Sequence, residues 1–251
     1  MPEIFRALIP LDSHSTSAFQ FALRYALAMC EKTGAGDIIL LTHTKGQLDH
    51  TSLSRLLGDR TVKALTKGPV ALEQGVRLHA ETMRTLTWPA RKSVIIVYYA
   101  ETKILDFADG LRNVVGVVAV PDLPGEADDW SSRWGVIVHG EERQEPAPLI
   151  DDKIVVCALE GLTRMVNLST GLGHPRDKQH ADEVLRILRA KGHADPTPQI
   201  KSWAIRNGWR PGDAVKLEAL SRKIWQLKAK PSLAGFYNPH ERYNRWKSGE
   251  A

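Results

Sequence analysis

Short apolar runs rich in β-branched residues, spaced so that a helical pattern fits between them, constrain this chain more than any other feature. "IFRALIPL" (4–11), "DIILLTH" (37–43), "RKSVIIVYYA" (91–100) and "VVGVVAVP" (114–121) are continuously apolar rather than alternating, as strands buried on both faces are. "GVRLHAETM" (75–83) predicts a further short strand, and "WGVIVHG" (134–140) an edge strand. Residues 15–32 place Phe19, Leu23, Ala26, Leu27 and Cys30 on one helical face, with Gly34 and Gly36 beyond its end. Residues 51–68 predict a helix with a weak point at Gly58, and residues 101–112 a short one. Parallel strands need crossover connections, and strand–helix–strand alternation supplies them. Residues 1–140 therefore predict a Rossmann-like α/β domain whose mostly parallel sheet is covered on both faces.

The pattern changes after "EERQEPAPLIDD" (141–152), whose two prolines and five acids mark a linker. Four segments with helical periods follow, at 153–168, 175–192, 197–208 and 210–230. In the last, Leu217, Leu220, Ile224 and Leu227 recur at helical spacing. Residues 153–230 are expected to form an all-helical module. Residues 231–251, which carry no clear period, are expected to form an extended aromatic and basic tail.

Composition narrows the setting. With 43% hydrophobic and 25% charged residues the chain can bury a core. No apolar run approaches the roughly 18–20 residues of a membrane span. The N-terminus carries an early acid and runs straight into a strand, unlike a signal peptide. Cys30 and Cys157 lie in apolar segments and form no CxxC pair, which points to reduced thiols and a cytoplasmic location. The net charge of +5 is unevenly spread: residues 201–251 hold 11 Lys/Arg against 4 Asp/Glu, and residues 1–150 hold 16 against 18.

In open parallel α/β sheets, ligands bind beyond the carboxyl ends of strands, where helix N-termini expose backbone N–H groups. "DSHSTS" (12–17) occupies that place after the first strand. Asp12 suits a ribose hydroxyl or an amine. Ser13, Ser15 and Thr16 suit a phosphate, and His14 suits proton transfer. The competing reading is a polar loop in which Ser or Thr caps the helix. Glu101, ending the clearest strand, is the expected counterpart across the site. His14 and Glu101 are the candidates for acid–base catalysis if the protein is an enzyme. His43, Asp49 and His50 lack the spacing of a helix-face metal motif, so a polar loop is expected there, and "PDLPGEADDW" (121–130) predicts an acidic loop. "STGLGHPRDK" (169–178) is either a phosphate loop with Arg176 and Lys178 nearby, or one helix ending and the next beginning. No Walker loop, nucleophile elbow, kinase set or zinc-protease signature occurs, so no motif names a cofactor.

Three resemblances add to this. "ALIPLDSHSTSAFQFALRYALAMCEKTGAGDIILLTH" (7–43) resembles the opening βαβ unit of universal stress proteins and related nucleotide-binding α/β domains. The shared pattern is an apolar strand ending in Pro-x-Asp, a polar turn, an Ala-rich helix and an apolar second strand. The resemblance implies that Asp12 lies near an adenine nucleotide. "NLSTGLGHPRDK" and "WAIRNGWRP" resemble segments of an uncharacterised bacterial family of unknown function. "IKSWAIRNGWRP" also resembles the C-terminal DNA-binding segment of the H-NS-like nucleoid proteins of actinobacteria, in its Trp-Ala-x-x-Asn-Gly core.

Three functional readings follow. The first is a protein that binds or processes a nucleotide or similar small anion at the carboxyl ends of the strands. The second is a nucleic-acid-associated protein. Here Lys216, Lys223 and Lys230, at seven-residue spacing on the last predicted helix, neutralise phosphates together with Arg242, Arg245 and Lys247. Aromatics interleaved with those tail cations (Phe236, Tyr237, Tyr243, Trp246) suit stacking on single-stranded nucleic acid. The third is an assembly subunit whose tail clasps the α/β domain or a second copy of the chain.

Overall fold

The computed structural model describes residues 4–72, 75–142 and 145–250. The chain forms two compact units that part between Pro146 and Ala147. That point lies inside the stretch 141–152, of which residues 143 and 144 fall outside the described residues.

The first unit is built on strands β1 (Phe5–Leu8), β2 (Asp37–Thr42), β3 (Val70–Ala71), β4 (Arg77–Thr82), β5 (Ser93–Tyr98), β6 (Val114–Val120) and β7 (Ile137–Val138). They form one sheet in the order β3-β4-β2-β5-β6-β1-β7. Every pairing is parallel except β3 with β4. The mostly parallel α/β sheet expected from the alternation is present. Its edge strands are two residues long, which leaves little edge for another chain to pair with.

Residues of β2 and β5 are buried throughout, and successive side chains alternate between faces. On one face Ile38, Leu40, Val94 and Ile96 meet Ala18, Phe19, Ala22 and Ala26 of helix α1 (Thr16–Thr33). Past the single turn α2 (Gly46–Asp49), Leu53 of α3 (Ser52–Leu57) and Val62 and Leu65 of α4 (Asp59–Leu65) join the same face. The break between α3 and α4 falls at Gly58, as the sequence predicts. On the other face Ile39, Leu41, Ile95 and Val97 meet Ile104, Leu105 and Ala108 of α5 (Thr102–Asp109) and Trp130 of α6 (Asp128–Trp134). The close seat of α1 depends on Gly116 in β6. A Cβ there would lie 2.7 Å from Met29 Sδ and 3.3 Å from both Val94 methyls.

One segment departs from expectation, and the strand order adds a feature that local pattern does not address. The segment 121–130 is not wholly loop, because α6 begins at Asp128. Asp128 and Asp129 lie in its first turn, where acids suit the helix dipole, and Trp130 is fully buried. Further, β1 does not neighbour β2. It lies between β6 and β7, so α1 crosses β6 and β5 to deliver the chain to β2.

The second unit contains α7 (Lys153–Met165), a 3-10 turn at Gly171–Gly173, α8 (Pro175–Ala190), α9 (Thr197–Arg206), α10 (Pro211–Trp225) and α11 (Pro239–Lys247). The predicted helix over 210–230 stops at Trp225, so Leu227 and Lys230 are not on it. The reason is tertiary. Arg189 of α8 donates Nη1 and Nη2 to the carbonyls of Ile224 and Leu227, satisfying oxygens that a helix end leaves open. The tail 231–251 is likewise not simply extended, since α11 occupies nine of its residues. Its Trp246 is buried, and its Tyr243 Oη lies 3.2 Å from His193 Nε2 within the same unit. No helix among the described residues is long and apolar enough to cross a membrane. Cys30 and Cys157 are free and buried, and burial pushes the Cys30 thiol up to about 11.

Candidate functional site

The loop after β1 is tied down by its own polar groups. Ser13 is fully buried; its Oγ donates to Asp122 Oδ1 at 2.5 Å, and its carbonyl accepts from Tyr98 Oη at 2.7 Å. Ser52 Oγ reaches the same carbonyl at 3.4 Å and lies 3.2 Å from Tyr99 Oη. The Asp12 carboxylate accepts the N–H of His14 at 2.8 Å. Ser15 holds the N-cap position of α1, yet no side chain caps the helix; its Oγ lies 2.7 Å from Ser17 Oγ. Asp12, His14 and Thr16 are exposed. Burial, followed by the fields of Tyr99, Asp12 and Asp122, raises the Tyr98 phenol above its ordinary range.

Among the described residues no hydrogen bond or ion pair joins Glu101 to this group. Glu101 is at the N-cap of α5, 3.8 Å from His43 Nδ1, and His43 Nε2 lies 3.0 Å from the Tyr99 carbonyl. In the strand order β6 lies between β5, which Glu101 follows, and β1, which Asp12 follows. Tyr99 itself has φ 60°, a left-handed conformation that costs a non-glycine residue roughly 1–2 kcal/mol. Asp12, Asp122 and Glu101 make this edge acidic, which disfavours a bare anion. Among the described residues no group of three or more His, Cys, Asp or Glu is placed to hold a metal ion.

A second site lies on the face that α5 and α6 cover elsewhere. The connection from β4 to β5 contains no helix, so the sheet there is roofed only by the loop around Trp88. Beneath it is a cavity of about 260 Å³ with an apolar floor that includes Ile39 and Leu86. Strand alternation puts Arg77, His79 and Glu81 on that one face of β4, and Asp37 joins them at the start of β2. Asp37 is only 6% exposed. Its Oδ1 accepts from Arg77 Nε at 2.9 Å and from His79 Nε2 at 2.9 Å, with Arg77 Nη2 at 2.7 Å. Burial alone would raise the Asp37 carboxyl, but the bonds from His79 and Arg77 outweigh it and hold the group below its usual range. A carboxylate only accepts, so His79 presents a proton on Nε2 to Asp37. Glu81 Oε2 accepts from Thr85 Oγ1 at 2.6 Å. Trp88, 65% exposed, and the exposed Arg91 complete the wall.

Sequence reasoning passed over this cavity. The signal was available in "RLHAE", where three ionisable residues alternate with apolar ones on a strand expected to be covered on both faces.

In the helical unit the proposed phosphate-contacting residues scatter. Lys216 pairs with Asp213 at 2.8 Å, Lys223 lies exposed in the last turn of α10, and Lys230 lies beyond the helix, so the three form no common stripe. Arg242 pairs with Glu183 at 2.8 Å, both largely buried, whereas Arg245 and Lys247 are exposed. In the GxG segment, a Cβ on Gly171 would lie 2.0 Å from Asp213 Cγ. Asp213 thus packs directly against the backbone of this segment, and its carboxylate disfavours an anion there. No curated protein and no solved structure matches the chain, so the likeness of residues 7–43 to universal stress proteins rests on the sequence alone. Residues 151–247, nearly all of the helical unit, match the family described as a domain of unknown function, DUF1889.

Proposed function

We propose that the α/β unit binds a nucleotide or similar small anion in the cavity over β2, β4 and β5. The observation that carries this reading is the row Arg77, His79 and Glu81 beside the buried Asp37, all lining one cavity on a sheet face that parallel strands otherwise fill with apolar side chains. Burying ionisable groups is costly unless they are paired or used, and among the described residues the side-chain partners of Asp37 all meet Oδ1. In this reading Oδ2 accepts a ligand N–H. Trp88 offers an exposed face for a flat ring, and Arg91 beside it offers a planar fork for a phosphate or carboxylate.

Calorimetric titration with a panel of nucleotides tests this. Trp88 and Arg91 are exposed, so Trp88→Ala and Arg91→Ala leave the core intact. Loss of a stacked base is worth about 1–3 kcal/mol and loss of a charge-assisted bond a similar amount, so each variant should weaken binding by about tenfold or more. Affinity unchanged in both variants, or no nucleotide bound at all, refutes the reading. A second reading places the ligand above residues 12–17 and is favoured by the opening of α1 without a side-chain cap. Affinity lost in Asp12→Ala and Thr16→Ala but retained in Trp88→Ala selects it.

A further inference from the structure

The helical unit contains a pocket of its own, independent of the α/β cavity. Helices α7, α8 and α11 enclose about 180 Å³ over an apolar floor that includes Leu162, Val184 and Trp246. These three are 1%, 2% and 7% exposed, so the floor is part of the unit's core. The rim is cationic and comes from Arg164, Arg242 and Arg245. Arg242 is committed to Glu183. Arg164 and Arg245 are exposed, and among the described residues no carboxylate lies within 4 Å of either. Each occupies the last turn of its helix, where a cation suits the dipole, but that preference does not require the two to converge on one pocket. Glu250 is the one acid among the lining residues, so the rim remains net positive. His180 adds no charge at neutral pH, because burial and then Arg242 lower its basicity.

We propose that this pocket binds a small amphipathic anion. Arg164 and Arg245 hold its carboxylate or phosphate head, and its aryl or short acyl body rests on Leu162, Val184 and Trp246. Guanidinium groups match both head groups bidentately, and the apolar floor selects against an inorganic ion, which has nothing to bury there.

The test is calorimetric titration of the full chain with phenyl phosphate, benzoate, inorganic phosphate and benzyl alcohol. Phenyl phosphate or benzoate should bind about tenfold or more tightly than inorganic phosphate and benzyl alcohol, since head and body each contribute. Arg164→Ala and Arg245→Ala, both at exposed positions, should each cost about tenfold with unchanged melting curves. Trp88→Ala and Arg91→Ala should leave this affinity untouched, which separates the pocket from the α/β cavity. Three results overturn the proposal: equal affinity for inorganic and phenyl phosphate, no binding of either aryl anion, or full affinity in the Arg164→Ala/Arg245→Ala double variant. Competition by a single-stranded oligonucleotide far below the aryl-anion concentration also overturns it, in favour of a polyanion surface.

Discussion

Asp109→Asn in the α/β unit should destabilise the protein far more than an isosteric change suggests. Asp109 has a side chain only 2% exposed and serves three donors: Arg6 Nε at 3.0 Å through Oδ1, and Trp130 Nε1 at 2.9 Å and Trp134 Nε1 at 2.7 Å through Oδ2. Beside it the fully buried Arg133 donates Nη1 to Asp106 at 2.6 Å and lies 4.0 Å from Asp109. Two guanidinium groups are thus balanced by two carboxylates. Burial lowers the Arg6 pKa, and Asp109 counters that pull. Asparagine removes one negative charge and turns an N–H₂ toward either Arg6 or the two indoles. Breaking a buried pair by neutralising one partner costs about 3–5 kcal/mol. At roughly 2–4 °C per kcal/mol for a protein of this size, the melting temperature should fall by about 6–20 °C. Urea denaturation followed by near-UV circular dichroism reads the packing of Trp130 and Trp134 directly. A loss below about 1 kcal/mol with an unchanged m-value would show that water already solvates the network and would refute the reasoning.

Two further predictions concern the helical unit. Asp152 caps α7 by accepting the N–H groups of Ile154 and Val155, and its Oδ2 lies 2.6 Å from His193 Nδ1. Burial would raise its carboxyl, but the bonds from His193 and the two amides hold it below its ordinary range. Its stabilisation is therefore complete above about pH 4 and is lost as pH falls through the lower folded value. Asp152→Ala should cost about 0.5–2 kcal/mol at pH 7 and flatten the acid side of the stability profile; parallel profiles for variant and parent would exclude this. Gly171 has φ 53° and no room for a Cβ, so Gly171→Ala should cost at least about 2–3 kcal/mol by thermal melting. Gly173→Ala, with nothing within 4 Å of its added methyl, serves as the near-neutral control.

Element type was legible because it follows from local pattern. A continuous β-branched run such as "SVIIVY" buries both faces only inside a covered parallel sheet, and the apolar stripe of residues 15–32 fits only a helix lying on one. The passage from alternating to purely helical periods near residue 150 is a property of the sequence for the same reason. Short elements escaped. Residues 239–247 bury little beyond Trp246, and residues 128–134 bury Trp130 and Arg133, too few positions to establish a period.

That a mostly parallel α/β sheet precedes a set of helices follows from local pattern, because periodicity and β-branching act over a few neighbouring residues. Long-range packing places β1 beside β6 and β7, since adjacency depends on how α1 packs across the sheet. It also decided that α10 stops at Trp225, where Arg189 takes carbonyls from another element. The sites belong to the same class of fact. Asp37 meets Arg77 and His79 through strand pairing, and Arg164 and Arg245 come to the rim of one pocket through helix packing. Each convergence joins residues distant in sequence, so a local pattern such as "RLHAE" can mark one member but not its partners.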